Sequence, residues 1–471
     1  MAERFHLHLV FLFRASANAS MSKQPNVIVF FTDQQRWDSC GVHGNPLDLT
    51  PNFDRLANRG THIDASITCQ PVCGPARSCL QTGMYATQTG SWRNGIPLDK
   101  SLTTIAQLYN QAGYNTGYIG KWHLGTRDDY VPADERGGYD YWLAANLLEF
   151  QSDAYDCNLW NNDNEMVKLP GYRVDAMTDA VIRYVDDKSK EDKPFFLFTS
   201  YLEPHHQNHV DDYPPPDGYR ERYTGKWMPP DLQQLGGSSG QHLGGYLGMI
   251  KRLDEGLGRI MDALKSLEID KDTIILYTAD HGCHFKTRNS EYKRSGHEAS
   301  VRVPTAFCGA EFDGGGRRTE VTSLVDLVPT LLDACGIEPP SHMPGRSLMP
   351  ILRGESADWK QEAFIQISES QVGRAIRTAR WKYGIVAEDA DGETESRADQ
   401  YTENYLYDLH SDPYELQNLI GFASHNPVKA HLKEKILRAM ERAGESRTKI
   451  VDHPIDSPQS QRVVFDHEIG Q

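Results

Sequence analysis

Five stretches of the chain carry the apolar, β-branched and aromatic density of buried strands. Pro25 to Thr32 reads PNVIVFFT and Pro194 to Ser200 reads PFFLFTS; Tyr114 to Gly120, Asp272 to Thr278 and Arg302 to Phe307 complete the set. Runs that do not alternate with polar residues predict strands covered on both faces, as in a parallel sheet. Between them the apolar spacing changes to that of helices. Tyr246 to Leu267 places Met249, Leu253, Leu257, Ile260 and Leu264 on one stripe. Thr50-Pro51 to Gly60 has a capping residue, a proline in the first turn and a terminal glycine. Leu102 to Gln111, Asp175 to Asp186 and Ser323 to Cys335 are further helices, the last with a kink expected at Pro329. The alternation predicts an α/β fold, a large mainly parallel sheet sandwiched by helices.

Four of the predicted strands run into polar groups. The first ends at Asp33-Gln34, the second at Lys121-Trp122-His123, the third near Glu203-Pro204-His205-His206, and the fourth at Asp280-His281. Open α/β sheets gather their sites at the carboxyl ends of strands, so the recurrence predicts one polar site along that edge. After about residue 360 the pattern changes. Glu362 to Ser368, Arg374 to Thr378, Lys382 to Val386 and Glu403 to Tyr407 are short strands, and Val428 to Arg442 is an amphipathic helix. These predict a smaller C-terminal antiparallel sheet with a helix. The organisation expected is an extension over 1–20, a catalytic α/β domain over 21–360, and a C-terminal α+β subdomain with a tail over 361–471. The Pro- and Gly-rich segment 210–240 is expected to be a long, lid-like loop.

Composition narrows the function. The 471 residues carry a net charge of −16, which argues against nucleic-acid binding but leaves room for a local cationic pocket. Mean hydropathy is −0.58, and no apolar run approaches the ~20 residues of a membrane span. Residues 1–20 loosely resemble a signal peptide, with a short apolar patch before Ala-Ser-Ala-Asn-Ala; the patch is short for that role, and the balance favours the cytoplasm over the periplasm or secretion. Eight scattered cysteines do not form a disulfide framework, and Cys69, Cys73 and Cys79 lack the paired spacing of a zinc site.

One cysteine stands in an unusual setting. Cys73-Gly74-Pro75-Ala76-Arg77 opens a run that closes at Thr82-Gly83. Pro75 suits the first turn of a helix, which sets Cys73 just before it, where free N–H groups favour an anion, with Arg77 one turn on pointing back to the same place. On these residues alone, a reactive group at an anion site and a buried cysteine before an ordinary helix fit equally well.

The motifs together resemble the type I sulfatases of the alkaline phosphatase-like superfamily, over roughly residues 25–420. Cys73-x-Pro75-x-Arg77 with Thr82-Gly83, Lys121-Trp122-His123-Leu124-Gly125, Asp280-His281-Gly282, Lys293, Arg302-Val303-Pro304 and Leu406-Tyr407-Asp408-Leu409 follow in that family's order. The resemblance implies that a formylglycine-generating enzyme oxidises Cys73 to formylglycine. A thiol would leave a persistent adduct, whereas the second hydroxyl of an aldehyde hydrate can shed sulfate. It implies a metal held by Asp33, Gln34, residue 73, Asp280 and His281. The oxygen ligands of Asp33, Asp280 and the residue-73 hydrate rank Ca²⁺ first; Gln34 and His281 depart from the common pattern of a carboxylate and an amide at these places, which makes Mn²⁺ or another divalent metal the alternative. It implies that Lys121 and Lys293 hold the sulfate, Arg77 orients the hydrate, His123 takes its proton, and His205 protonates the leaving alcohol, with His206 and His209 as competitors.

The activity so implied is hydrolysis of a sulfate ester, with a carbohydrate sulfate as the favoured substrate. Trp92, Arg93, Trp227 and the segment 283–294 (Cys283, His284, Phe285, Lys286, Arg288, Glu291, Arg294) are candidates for the sugar side, with an ordinary loop role equally open to each. Phosphonate monoester hydrolases and phosphodiesterases of the same superfamily are the alternative. They share the pattern at Asp33-Gln34, at Cys73 to Arg77 and at Arg93-Asn94, but usually lack the run at Lys121 to Gly125. A binding protein that has lost catalysis is disfavoured, because every implied site residue is present.

Overall fold

The computed structural model describes residues 24–355, 358–456 and 464–471; the reading of residues 1–20 lies outside them. Eleven strands form the main sheet. They are β1 (Asn26–Thr32), β2 (Thr61–Ile67), β3 (Asn115–Lys121), β4 (Tyr141–Ala145), β5 (Cys157–Trp160), β6 (Met166–Leu169), β7 (Phe195–Ser200), β8 (Thr273–Ala279), β9 (Arg302–Cys308), β10 (Gly316–Arg318) and β11 (Thr322–Ser323). The order is β10-β2-β9-β8-β1-β7-β3-β4-β5-β6, with β11 beside β2. The centre, β8-β1-β7-β3-β4, is parallel. The flanks are mixed: β9 runs antiparallel to both β8 and β2, and β5 and β6 return antiparallel beyond β4.

The continuous apolar runs are covered on both faces. Val27, Val29 and Phe31 of β1 enter one core layer, with the helices Cys73–Thr82, Ile105–Gln111 and Leu324–Ala334. Ile28 and Phe30 enter the other, with the helices Pro51–Arg59, Arg173–Ser189 and Ser239–Ser266. The helix Leu324–Ala334 runs through Pro329. The segment 210–240 differs from the expected free loop. It contains the short helices Tyr219–Tyr223 and Pro230–Gln234, and Tyr213, Tyr223 and Leu232 are buried against Tyr246 of the long helix. Apolar residues interspersed among its prolines give it a core of its own.

The C-terminal sheet is β12 (Glu362–Ile367), β13 (Val372–Thr378), β14 (Trp381–Ala387), β15 (Gln400–Asp408) and β16 (Lys449–Val451) in that order. It is antiparallel except for β16, which the tail adds parallel to β15. The helix Asn426–Arg442 covers one face. The other packs Ala363, Ile365 and Tyr407 against Ile67 and Val301 of the main unit. A buried charge network crosses the same joint: Lys382 of β14 lies 2.7 Å from Glu298 and 2.8 Å from Glu415. The pairing keeps all three charges tolerable out of water.

Candidate active site

Strand register builds the site. Thr32 of β1 pairs with Ala279 of β8, so the next residues, Asp33 and Asp280, emerge side by side. On the other side of β1, Phe31 pairs with Ser200 of β7, and Gly120 of β3 pairs with the same Ser200, which brings Lys121 to the same edge. Immediately past β1 the chain turns through Gln34 at φ +69°, where the Tyr246 hydroxyl donates to the Gln34 carbonyl at 2.8 Å. The helix Cys73–Thr82 delivers the last element. Cys73 is its first residue rather than the residue before it, because Val72 is the extended N-cap. All ten residues are buried, and Gly83 closes the helix at φ +70°.

Four predicted ligands meet. Ligand atoms of Asp33, Cys73, Asp280 and His281 all lie within 4.8 Å of one another. His281 Nδ1–H donates to the Gly282 carbonyl at 2.9 Å, which leaves Nε2 facing Cys73 Sγ at 3.2 Å. Burial, reinforced by Lys293, keeps this imidazole neutral and able to bind a cation. Gln34 donates its backbone N–H to Asp280 at 3.0 Å and its side-chain amide to the Tyr213 hydroxyl at 2.8 Å. Its Oε1 is buried without a hydrogen-bond partner. Two carboxylates, a neutral imidazole and an orphaned amide oxygen make a donor set that fits a divalent cation.

Cations surround this cluster. Arg77 reaches both carboxylates, Asp33 at 2.9 Å and Asp280 at 3.2 Å, and also donates to Ser200 and the Lys121 carbonyl. It therefore meets the site through the carboxylates. Lys121 Nζ lies 2.8 Å from Asp33 and 3.0 Å from Glu149. Lys293 Nζ lies 2.8 Å from Cys73 Sγ and 3.0 Å from His205 Nε2. Burial opposes the charge of Asp33, but Lys121, His205, Arg77 and Lys293 override it and hold the carboxyl well below the usual carboxylate range. For Cys73, burial and the Asp33 charge outweigh the lysines and push the thiol up to about 12.

A cavity of about 440 Å³ opens over Cys73. His123, His205 and Lys293 line it, as do Asn94, whose Oδ1 accepts the Gly74 N–H at 2.9 Å, and Glu149. Burial, with Lys121 beside it, holds the His123 imidazole down at about 3, so it is neutral. His206 also lines the cavity, its ring stacked on His205 at 4.4 Å, whereas His209 is half exposed and pairs with Asp153. Of the residues expected on the sugar side, Glu291 and Arg294 line this cavity. Cys283, His284 and Phe285 do not, because they are fully buried. Trp92 packs on the first core layer with Arg93 over its ring, Arg288 donates to the carbonyls of Tyr414 and Glu415, and Lys286 lies over Tyr292. Trp227 is outside the cavity lining. Glu149 was not foreseen: it comes from the four-residue helix Leu148–Gln151, which no periodic pattern announces.

The chain is similar in sequence and fold to known proteins. Over 439 residues the chain is 27% identical to an ulvan-active sulfatase of Formosa agariphila, covering 90% of this chain and 82% of that one. It is 26% identical to an N-acetylglucosamine-6-O-sulfatase of Bacteroides thetaiotaomicron, covering 96% and 91%. A structure solved with its substrate D-glucosamine-2-N,6-O-disulfate superposes with a TM-score of 0.74 at 25% identity, over 90% of this chain and 98% of that one. A phosphonate monoester hydrolase of Agrobacterium radiobacter shares the fold, with a TM-score of 0.68 at 23% identity over 89% and 96%. The C-terminal region, residues 291–442, matches the family described as N-sulphoglucosamine sulphohydrolase, C-terminal. Residues 25–337, more than half of the chain, match the sulfatase family, and the protein therefore belongs to the type I sulfatases, sulfuric ester hydrolases of the alkaline phosphatase-like superfamily.

Proposed function

We propose that the protein hydrolyses a carbohydrate sulfate ester, using formylglycine at residue 73 and a bound divalent cation, and releases inorganic sulfate. The observation that carries this reading is the setting of Cys73: a buried thiol with Lys293 Nζ at 2.8 Å, His281 Nε2 at 3.2 Å and Asp33 at 3.4 Å. Held protonated up to about 12, the thiol is a poor nucleophile in a place prepared for one. Oxidised and hydrated, residue 73 supplies a hydroxyl nucleophile and a second hydroxyl through which sulfate is shed. Asp33, Asp280, His281 and the Gln34 amide oxygen would hold the cation, Ca²⁺ first and Mn²⁺ as the alternative, which supplies positive charge against the sulfate oxygens.

The chain's own groups do the rest. Lys121 and Lys293 bind sulfate oxygens, and Arg77 fixes the two carboxylates. The neutral His123 ring is the base that accepts a proton from residue 73. His205 Nδ1–H donates to the His206 carbonyl at 2.6 Å, so Nε2 shares a proton with Lys293 and is aimed to pass it to the leaving alcohol. The formylglycine-generating enzyme is the partner in maturation. Every residue of Cys73–Thr82 is buried, so that enzyme must act before the helix docks.

The named substrates of the ulvan-active and N-acetylglucosamine-6-O-sulfatase relatives support a sugar on the leaving side. The Lys121-Trp122-His123 run favours sulfate over the phosphonate monoester chemistry of the Agrobacterium neighbour. Steady-state kinetics on paired aryl sulfate and aryl phosphonate monoesters, followed by sulfated mono- and disaccharides, test the reading. A higher kcat/KM for sulfate is expected; a clear preference for phosphonate would overturn it.

A further inference from the structure

One buried carboxylate in the cavity wall has no part in the reaction described so far. Glu149 is 3% exposed. Its Oε1 lies 3.0 Å from Lys121 Nζ and 3.8 Å from His123 Nδ1, and its Oε2 is buried without a hydrogen-bond partner. Burial opposes its charge, but Lys121 overrides this and lowers the carboxyl, so Glu149 is an anion. Lys121 offsets the cost of burying this charge, and the charge in turn repels any anion bound in the cavity.

Arg77 is matched by Asp33 and Asp280, and Lys121 by Asp33 and Glu149. Among the described residues, Lys293 makes no ion pair with a carboxylate; its partners are Cys73 and His205. Counted with the divalent cation proposed above, the floor stays positive, and Glu149 lowers that charge by one beside Lys121. A sulfate ester carries one negative charge, whereas a phosphate monoester carries two above about pH 6.

We propose that Glu149 is a specificity-determining residue: its charge in the cavity wall beside Lys121 repels a doubly charged ester about twice as strongly as a singly charged one, and so favours the latter. This rests on the sulfatase reading for the identity of the natural substrate, but the charge rule itself concerns any ester the site takes. The same repulsion acts on the product: inorganic sulfate is doubly charged, so Glu149 favours its release.

Glu149→Gln keeps the shape and removes the charge. At pH 8, with metal-loaded, modified protein, the ratio of kcat/KM for p-nitrophenyl phosphate to that for p-nitrophenyl sulfate is expected to rise about tenfold or more in the variant. The ratio for an aryl phosphonate monoester, also singly charged, is expected to stay unchanged. Calorimetric affinity for inorganic sulfate is expected to rise by a similar factor, a readout that needs no turnover. A purely structural role would lower all three rates together and leave sulfate affinity unchanged, and that result would overturn the proposal. If the variant does not fold, the wild-type protein carries the test. Inhibition by p-nitrophenyl phosphate is expected to weaken between pH 5.5 and 7.5 as the ester gains its second charge (about pH 6), while inhibition by the phosphonate monoester does not; identical pH behaviour would contradict the charge rule. A wild-type preference for phosphonate over sulfate would unseat the sulfatase reading yet leave this comparison of one charge with two intact.

Discussion

Cys73→Ala is expected to abolish sulfate-ester hydrolysis, lowering kcat by about 10⁴-fold or more, the scale on which enzymes lose a nucleophile. The fold should survive. Lys293 keeps its contact with His205 at 3.0 Å, and the helix Cys73–Thr82 is held by burial along its whole length. Alanine is also a good helix former. The thermal midpoint should therefore move by only a few degrees, on the order expected for about 1 kcal/mol. Loss of activity with an intact midpoint would separate chemistry from folding. Retention of more than a few per cent of wild-type activity would show that another group attacks the substrate.

Asp33→Asn carries the second large effect, and it acts on stability as well as activity. Asp33 is fully buried and is shared by Arg77 at 2.9 Å and Lys121 at 2.8 Å. The amide keeps the shape but leaves two buried cations short of a counter-charge. Removing one partner of a buried pair costs about 3–5 kcal/mol. The variant should lose activity, lose metal in elemental analysis, and unfold at lower denaturant than the wild-type protein when both are stripped of metal. Added Ca²⁺ or Mn²⁺ should raise the wild-type midpoint and leave that of the variant nearly unchanged. Full metal retention with unchanged stability would remove Asp33 from the ligand set.

The parts of this site that the sequence showed are those set by local pattern. β1, β3, β7 and β8 are compact apolar runs, and their polar ends are read directly as Asp33, Lys121, His205 and Asp280. The Cys73-x-Pro75-x-Arg77 run is equally local. What stayed hidden depends on long-range pairing. Nothing in Thr61–Ile67 or Arg302–Cys308 says that β9 lies antiparallel between β8 and β2, because strand direction is decided by partners far away in the chain. Glu149 reaches the cavity only because β4 pairs with β3, and an isolated glutamate in a four-residue helix carries no signal of its own. The same holds for Glu369. It projects from the hairpin between β12 and β13 and accepts the Asn94 N–H at 2.7 Å while pairing with Arg294, so the C-terminal sheet helps to shape the cavity wall. The segment 283–294 divides between the two roles left open for it: Glu291 and Arg294 line the cavity, whereas His284 and Phe285 are packed beneath it, a split set by tertiary contacts that the local sequence does not show.

Cys73 is thus a buried, protonated thiol with Lys293, His281 and Asp33 around its sulfur, and the proposed reaction requires its conversion to formylglycine. The direct measurement is peptide mass spectrometry across residue 73, with hydrazide capture of the aldehyde, on active protein purified from the organism that makes it. The residue is expected to be formylglycine in the active fraction, and the refolded, unmodified chain is expected to stay inactive and no longer to be a substrate for the modifying enzyme. Fully active protein that carries an unmodified Cys73 would contradict that requirement.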